Sequence, residues 1–339
     1  MATAKPQPTA KVTPTKRTKT DKAESMLVVT PSQSYLHNLI PDPDVAKRYV
    51  SRYVEGVLDL DILTLAQKMH QNVLIAGDTG SGKTMLVRAY AATTQQPFVN
   101  MAGEGSAQPE DFFGGPAIDT LTGGLRWLDG PTLMVVQHGG VLNMDEVNFF
   151  KGKVTAATHG LLDERGVLTL NKHPYHWMSS RTGKYFITKE EATDLGDVAD
   201  IPVTGAAYIR RASNLLVVAT YNPDYVDTAP LNEAFRNRFA RQLVWDYDPD
   251  VEAELIESKT LLEMARKLRD SKKLGTVLTP VSTNLLMTFE QDCVTDGLTF
   301  SFAVANFLNH FNAEERSAVE ETLKAYRPKL MAEYGWTSV

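Results

Sequence analysis

Short apolar runs alternate with helix-like stretches through residues 72–250. The clearest runs lie at Val73–Ala76, Phe98–Met101, Val141–Met144 and Leu215–Thr220. These runs are mostly apolar without interruption, which is typical of strands that are covered on both faces. Because the runs are separated by helical patterns, the sequence predicts an α/β fold with a parallel, doubly wound sheet.

The pattern changes at about residue 251. From 251 to 339 no strand pattern is convincing, and apolar residues recur at helical spacing. These helical patterns cover Val251–Arg269, Val281–Glu290 and Ala313–Tyr326. We therefore expect an α/β domain over 26–250 and a small all-helical lid domain over 251–339. Near the start of the first, Asp42-Pro43-Asp44 is typical of a helix start, and Val45–Gln71 has helical spacing.

Charge is distributed unevenly along the 339 residues. Residues 1–25 hold six basic and two acidic side chains, a net of +4, which leaves −10 for the rest of a chain whose net charge is −6. This segment is rich in Thr, Ala, Lys and Pro and has few apolar residues, so we expect a disordered basic tail. A basic tail can contact nucleic acid or simply aid solubility, whereas the acidic body argues against a large DNA-binding face.

The composition is that of an ordinary globular protein, with 43% hydrophobic and 22% charged residues. No apolar run approaches the length of about 18 residues that spans a membrane, and no signal peptide is evident. Cys293 is the single cysteine, which excludes an internal disulfide and a cysteine-rich metal site. We expect a cytoplasmic protein that does not associate with membranes.

The strand at Val73–Ala76 leads into a segment that fits the phosphate-binding pattern G-x-x-x-x-G-K-[ST], and a helical pattern over Met85–Ala92 follows. Glycines let backbone N–H groups turn toward phosphate oxygens, and the helix points its positive end at them. Lys83 is expected to reach the β- and γ-phosphates, and the Thr84 hydroxyl to hold Mg²⁺. The predicted nucleotide-binding residues are Gly77, Asp78, Thr79, Gly80, Ser81, Gly82, Lys83, Thr84 and Met85.

Two acids follow the apolar strand at Val141–Met144. Asp145 is predicted to bind Mg²⁺ opposite Thr84, and Glu146 to polarise the attacking water as general base. The carboxyl ends of parallel strands are where ligands bind in this class of fold. An ATP-hydrolysing site therefore fits better than a pair of surface acids.

Two further elements could complete this site. Asn222 follows the strand at Leu215–Thr220 and is predicted to orient water near the γ-phosphate. A short helix is expected within Leu231–Phe239, with two arginines near its end. An arginine donated across a subunit boundary can neutralise charge in phosphoryl transfer, and we favour Arg238 over Arg236 for that role.

Several other segments surround these motifs in a fixed order. They are Pro109–Gly115, Leu125–Pro131, Gly139–Asn148, His159–Gly166, Ala219–Pro223 and Leu231–Phe239. In this order they resemble the AAA+ ATPases. Within these they are similar to the helix-2-insert group, which includes MoxR-type ATPases and the ATPase subunits of magnesium and cobalt chelatases. The resemblance covers roughly residues 45–310.

The resemblance implies a P-loop AAA+ ring, most often a hexamer, with ATP and Mg²⁺ bound between neighbouring subunits. It also implies remodelling of a protein partner, often one with a von Willebrand A domain. By this resemblance Asn222 is sensor 1 and Arg238 is the arginine finger. The helix-2 insert would cover about 114–130, and an extended hairpin before sensor 1 would cover about 167–213.

The sequence departs from this group in two places. The group commonly carries Ser-x-Arg in its helical domain, and the nearest match here, Ser301-Phe302-Ala303, lacks the arginine. The segment between Leu170 and Asn214 is also longer than the group's usual hairpin, and two interpretations fit it equally: an elaborated hairpin that faces a pore or a partner, or a loop without a function.

Three functions fit the sequence. The leading one is an ATP-driven remodelling motor that binds its substrate through the insert around Arg126 and Trp127 and through the long hairpin. A nucleic-acid motor of the helicase type is weakly favoured by the basic tail and opposed by the acidic body. A nucleotide-gated scaffold with little turnover would fit the missing arginine, but it has no need of Glu146 as a base.

Overall fold

The computed structural model describes residues 33–118, 123–223 and 231–336. The basic tail predicted for residues 1–25 lies outside these residues. The strands are β1 (Tyr53–Val54), β2 (Val57–Leu58), β3 (Val73–Ala76), β4 (Phe98–Ala102), β5 (Gly114–Ile118), β6 (Leu125–Asp129), β7 (Gly140–Asp145), β8 (Val167–Leu170), β9 (Trp177–Met178), β10 (Tyr185–Phe186), β11 (Ile201–Pro202), β12 (Ala207–Arg210), β13 (Leu215–Tyr221) and β14 (Arg241–Val244).

The helices follow in the same order along the chain. They are α1 (Gln33–Asn38), α2 (Pro43–Lys47), α3 (Asp59–Lys68), α4 (Lys83–Thr94), α5 (Pro109–Phe113), α6 (Pro131–His138), α7 (Gly152–Leu162), α8 (Lys189–Asp194), α9 (Glu233–Arg236), α10 (Pro249–Leu255), α11 (Lys259–Lys273), α12 (Thr283–Val294), α13 (Phe300–Asn309) and α14 (Ala313–Glu333).

Five strands form a parallel sheet in the order β14-β3-β13-β7-β4. The predicted parallel, doubly wound sheet is confirmed, and the four predicted strands are found with nearly the predicted bounds. The sequence did not predict the fifth strand, β14, because Arg241–Val244 alternates half-buried and exposed residues at the sheet edge and contains no apolar run.

Alternate side chains of the central strand pack on opposite faces of this sheet. In β13, Leu215 and Val217 join a core with helices α6 and α7, while Leu216 and Val218 join a second core with α3 and α4. Successive residues of a strand point to opposite faces, so an uninterrupted apolar strand supplies both cores. Helices therefore cover the sheet on both sides.

The predicted helical stretch Val45–Gln71 is wrong in its middle. There the chain forms α2, a two-stranded hairpin of β1 and β2, and then α3. Glu55 and Gly56 both take positive φ angles, +49° and +81°, which a helix does not allow. Because the apolar residues on both sides have helical spacing, the sequence pattern did not indicate this tight turn.

A C-terminal helical region, consisting of α10 to α14, follows the sheet and has its own hydrophobic core. The pattern predicted as one helix over Val251–Arg269 is divided into α10 and α11, because the Ser258 side chain caps α11 by accepting a hydrogen bond from the Leu261 N–H. The last helix continues past Pro328, beyond the predicted end at Tyr326, where buried Leu330 anchors it in the core.

Two antiparallel hairpins are added to the α/β fold, and β8 and β12 of the second pack into its main core. Strands β5 and β6 pair over the segment predicted as the insert at 114–130. Strands β8 and β12 pair at the base of the segment predicted as a long hairpin at 167–213. Between β8 and β12 the chain forms a small sheet of order β10-β9-β11 and helix α8, with a separate small core. The extra length of this segment thus folds into a compact unit.

Candidate functional site

A cavity of about 620 Å³ lies at the carboxyl ends of the central strands. Its walls come from the phosphate loop, the strand ends, the segment Val45–Arg52 and the C-terminal helical region. The lining includes Thr79, Gly80, Ser81, Gly82, Lys83, Thr84, Met85, Asp145, Glu146 and Asn222. The structure therefore brings most of the predicted site residues to one place, from three strands that are adjacent in the sheet.

The phosphate loop connects β3 to α4 and holds the Lys83 side chain back against its own backbone. The Lys83 ammonium donates hydrogen bonds to the carbonyl oxygens of Gly77 and Asp78, each at 2.7 Å. Burial lowers the pKa of Lys83, and the nearby charges of Asp145, Asp78 and Glu146 oppose that shift. The ammonium is thus pre-positioned for an anion that would replace the carbonyl contacts.

Glycine is required in this loop for specific reasons. Gly80 and Gly82 take φ angles of +69° and +93°, in the region that side chains disfavour. A Cβ on Gly77 would overlap the backbone carbonyl of Trp245. Gly77 and Asp78 do not line the cavity; they form the base of the loop, where their carbonyls hold Lys83.

Three oxygen-bearing side chains converge at the end of β7. The Thr84 hydroxyl is 3.0 Å from both carboxylate oxygens of Asp145, and the Thr220 hydroxyl also donates to that carboxylate. Thr84 begins α4, while Thr220 lies on β13, the strand next to β7. The sequence had suggested the pairing of Thr84 with Asp145, but not the role of Thr220, which orients the carboxylate from the other side.

Glu146 adopts a left-handed backbone conformation, with φ of +52°. Its N–H donates to the Thr220 hydroxyl at 3.2 Å, which fixes the strand end after Asp145. Burial, and then the charge of Asp145, raise the pKa of Glu146, while Lys83 lowers it. A raised pKa makes a carboxylate a better proton acceptor, as a general base needs.

Asn222 lies one residue beyond β13 and is buried at the cavity wall. Its side-chain amide donates to the Thr79 hydroxyl at 3.3 Å, so it contacts the phosphate loop directly. Because β13 lies between β3 and β7 in the sheet, this amide lies between the loop and the end of the strand before Glu146, and its role in orienting water stays a prediction.

Arg238 does not reach the cavity of its own chain. It follows α9, where its guanidinium donates to the Ala234 carbonyl, while its backbone carbonyl accepts a hydrogen bond from Asn72 at 2.9 Å. Its Nε atom is buried and has no hydrogen-bond partner. Arg236 is exposed and lies 3.4 Å from the Gln242 side chain. Neither arginine can therefore act on a nucleotide in this cavity without movement or a neighbouring subunit.

Residues that the sequence did not single out support the phosphate loop from beneath. The Ser81 carbonyl accepts hydrogen bonds from the Trp245 indole at 3.0 Å and from Arg52 at 2.9 Å. Arg52 also stacks on Trp245, with its guanidinium carbon 4.1 Å from the ring centroid. The Tyr247 hydroxyl donates to the Thr79 carbonyl at 2.7 Å. The sequence signal that could have indicated this support is the pair of aromatic residues Trp245 and Tyr247, which directly follow the edge strand β14.

The C-terminal helical region packs directly on the loop. A Cβ on Gly80 would overlap the side chain of Ser282, the residue that caps α12. From α11, the Lys272 ammonium contacts the two carboxylate oxygens of Asp78 at 2.7 and 2.8 Å. The region therefore touches the loop at two of its eight positions.

Ser301–Ala303, the nearest match to Ser-x-Arg in the sequence, does not lie at the cavity. Ala303 is fully buried in the core of the helical region, and none of these three residues lines the cavity. The cavity instead meets the start of α12, where Thr283 and Asn284 follow Ser282. Ser282-Thr283-Asn284 has the same Ser-x spacing with asparagine in place of arginine.

The donor set suits a nucleotide with Mg²⁺. A hydroxyl and a carboxylate that already face each other, Thr84 and Asp145, are the hard oxygen ligands that Mg²⁺ prefers, with phosphate oxygens and water completing the shell. No group of three or more His, Cys, Asp or Glu side chains in the described residues forms a metal site without a ligand. An ion here would therefore depend on the phosphates.

Comparison with known proteins agrees with this geometry. Residues 72–239 match the family model described as AAA domain (dynein-related subfamily). This match covers 168 of the 339 residues, just under half of the chain, and shows a similarity to that family over this stretch. The sheet, phosphate loop and helical region form the AAA+ P-loop fold, and the AAA+ family implies nucleotide binding. Members of this family commonly form oligomers. The matched description does not name the MoxR-type or chelatase group.

The relatives found by sequence are described as uncharacterized proteins. One from Staphylococcus aureus (strain bovine RF122 / ET3-1) is 27% identical over 63% of this chain and 70% of its own length. Another, from Staphylococcus haemolyticus, is 28% identical over 58% of this chain and 63% of its own length. The match thus spans roughly two thirds of the relatives, and their names give no activity to compare.

Two solved structures were also found to be similar. One is an ATPase candidate from Cytophaga hutchinsonii, with 18% identity, a TM-score of 0.40, and coverage of 84% of this chain and 86% of that chain. The other is a Thermotoga maritima RuvB variant, with 14% identity, a TM-score of 0.32, and coverage of 84% and 70%. Neither superposition is close enough to support an inference about this chain.

None of the helices in the described part of the chain combines the length and the apolarity that a bilayer crossing requires.

Proposed function

We propose that this protein binds and hydrolyses ATP and that it works as a ring of identical subunits. The observation that carries the proposal is the convergence of Lys83, Thr84, Asp145, Glu146 and Asn222 on one cavity at the carboxyl edge of the sheet. A phosphate cradle alone would support binding. A partly buried carboxylate with a raised pKa beside it, that of Glu146, supports hydrolysis.

Each side chain has a distinct task in this proposal. Lys83 exchanges its contacts to loop carbonyls for the β- and γ-phosphates. Glu146 accepts the proton of the attacking water, and Asn222 orients that water from the other wall. Thr84 and Asp145 would hold Mg²⁺, which when bound neutralises charge on the phosphates. Thr220 keeps the Asp145 carboxylate directed toward Thr84.

We propose that a cation from a neighbouring subunit completes the site from its open side, in addition to Arg48, Arg52 and Arg88, which line the cavity of the chain itself. Arg238 is the candidate, because it is outside its own cavity and its guanidinium has an unpaired buried Nε. We assign it the role of an arginine finger supplied to the neighbouring subunit, with Arg236 as second choice. The ring is proposed to be a hexamer, as the resemblance implies.

The proposed output is remodelling of a protein partner, as in the MoxR-type and chelatase-like group. We base this assignment on the two hairpins that are added to the α/β fold. The β5–β6 hairpin corresponds to the insert expected at 114–130, and the unit between β8 and β12 exposes the apolar side chains of Leu195 and Val198. A partner with a von Willebrand A domain is our first candidate.

Mixing two inactive variants tests the shared site. Glu146→Gln removes the base, and Arg238→Ala removes the finger, so each variant alone should hydrolyse ATP at well under a tenth of the wild-type rate. In a mixed ring, the Arg238→Ala subunit has an intact base and receives an intact finger from its neighbour. We expect the mixture to recover a substantial part of the wild-type rate, measured as phosphate release at fixed total protein.

Lys83→Ala mixed with Glu146→Gln is the matched control. Both changes damage the same wall of the cavity, so no arrangement of these two subunits gives a complete site, and the mixture should stay inactive. If Arg238→Ala and Glu146→Gln also fail to restore activity on mixing, Arg238 does not act between subunits. If Arg238→Ala alone is fully active, the finger has been assigned to the wrong residue.

A further inference from the structure

The phosphate loop contains an acidic residue whose charge is placed unfavourably for a phosphate site. Asp78 follows Gly77 at the start of the loop, and its backbone carbonyl accepts a hydrogen bond from Lys83 at 2.7 Å. Its side chain is only 19% exposed. The carboxylate charge reaches Lys83, since it opposes the lowering of the Lys83 pKa. An uncompensated anion this close to the bound triphosphate would repel it.

One lysine of the helical region compensates this charge. The Lys272 ammonium, near the end of α11, lies 2.7 and 2.8 Å from the two oxygens of the Asp78 carboxylate. The Lys272 side chain is 18% exposed, so water screens the pair only in part. The two residues are 194 positions apart, which makes the pair a link between the loop and the helical region.

The helical region gives the cavity itself no basic side chain among the residues described. The residues of α10 and α12 that line the cavity are Val251, Glu252, Leu255, Thr283, Asn284 and Met287. The only charged one is an acid, Glu252. The positive charge that this region brings to the phosphate loop is therefore that of Lys272, which acts at the back of the loop rather than inside the cavity.

Other contacts hold α11 and its neighbours in the position from which Lys272 pairs with Asp78. Ser282 packs on Gly80, and Tyr247, on which Arg269 of α11 stacks at 3.8 Å, donates to the Thr79 carbonyl. The ion pair is thus one part of a docked surface between the loop and the helical region.

We propose that Lys272 is a positioning residue through which the helical region neutralises Asp78, so that the phosphate loop accepts a triphosphate only when this region is docked on it. The proposal rests on the nucleotide binding proposed above. The proposal goes further by naming the ion pair, Lys272 and Asp78, that makes the affinity of the loop for ATP depend on the position of the helical region. Lys272 acts through Asp78 and does not touch the nucleotide.

Binding of ATP to four proteins tests this assignment: the wild type, Lys272→Met, Asp78→Asn and the double variant. Displacement of a fluorescent ATP analogue gives each dissociation constant, without any need for hydrolysis. We expect Lys272→Met to weaken ATP binding about tenfold, because it leaves a buried carboxylate unpaired beside the triphosphate. In the Asp78→Asn background the same change should have less than a twofold effect, since no charge remains to neutralise.

Two further variants serve as controls. Lys273→Met removes the adjacent lysine, which is 80% exposed and pairs only weakly with Asp270, and it should leave ATP binding as in the wild type. Lys272→Arg keeps the charge and should retain most of the affinity, even if Lys272→Met folds poorly.

Two results would overturn the inference. An equal loss of affinity from Lys272→Met in both backgrounds would mean that Lys272 acts on the nucleotide directly, and no loss in either would mean that it does not act at all. In both cases ATP binding by the wild type would leave the proposed function standing. A wild type that binds no ATP would instead overturn the proposed function itself.

Discussion

A buried ion pair in the helical region gives a stability prediction that can be worked out from the contacts. Arg269 on α11 donates two parallel hydrogen bonds of 2.7 Å to the carboxylate of Glu252 on α10. The Arg269 and Glu252 side chains are 13% and 5% exposed. The Thr283 hydroxyl donates to the same carboxylate at 2.7 Å, and the Arg269 guanidinium stacks on Tyr247. The pair therefore connects α10, α11 and α12, of which α10 and α12 line the cavity.

Arg269→Met keeps most of the aliphatic length but leaves Glu252 as a buried carboxylate without a counter-charge. Loss of one partner from such a pair costs about 3–5 kcal/mol of unfolding free energy. About 2–4 °C of melting temperature correspond to each kcal/mol in domains of roughly 150–250 residues, and less in a longer cooperative unit, so we expect a fall of several degrees. Calorimetry without nucleotide measures it, and the affected transition should be the one that unfolds the helical region.

Arg266→Met is the matched control, because Arg266 lies on the same helix and is exposed. It should change the unfolding free energy by no more than about 0.5 kcal/mol. The double variant Glu252→Gln, Arg269→Met should recover part of the loss, since no isolated charge is then buried. Equal melting temperatures for Arg269→Met and Arg266→Met would refute the reasoning that this pair holds the region together.

Three further predictions concern the site and the insert. Thr220→Val removes a hydroxyl that orients Asp145, so the Mg²⁺ concentration for half-maximal ATPase activity should rise about tenfold; an unchanged midpoint would exclude this role. Burial raises the pKa of Asp129 to about 6, above its unfolded value, so its charge destabilises the fold increasingly as pH rises from 4 to 6. Asp129→Asn should therefore add about 2 kcal/mol to the urea unfolding free energy at pH 8 and little at pH 4, whereas equal gains would contradict this. Gly80→Ala adds a Cβ that collides with the helical region and should weaken ATP binding at least tenfold, whereas Gly183→Ala, with a similar φ but open space, should bind as the wild type does.

The sequence was sufficient where the structural signal is local. The strand before the phosphate loop is found at Val73–Ala76 as predicted, and Asp145 and Glu146 end β7 as the apolar run before them indicated. These features depend on uninterrupted apolar residues and on a glycine pattern that backbone geometry demands. Parallel strands then place their carboxyl ends together, which is why separate motifs could be combined into one site.

The features that the sequence did not reveal depend on contacts between distant residues. Lys272 and Asp78 are 194 positions apart, and Arg52 reaches Ser81 from a turn that had been taken for helix. Thr220 ends a predicted strand, but only the adjacency of β13 and β7 shows that its hydroxyl meets Asp145. Residue patterns indicate which side chains are buried and polar, but not which of them meet.

The most direct test of the account is ATP hydrolysis per subunit, with Mg²⁺, measured as the protein concentration rises. We predict a rate per subunit that climbs with concentration, because Arg238 of one subunit completes the cavity of the next, and a rate near zero at every concentration for Glu146→Gln. A wild-type rate near zero throughout, or a rate that Glu146→Gln leaves intact, would contradict the central claim that this cavity is a hydrolytic site.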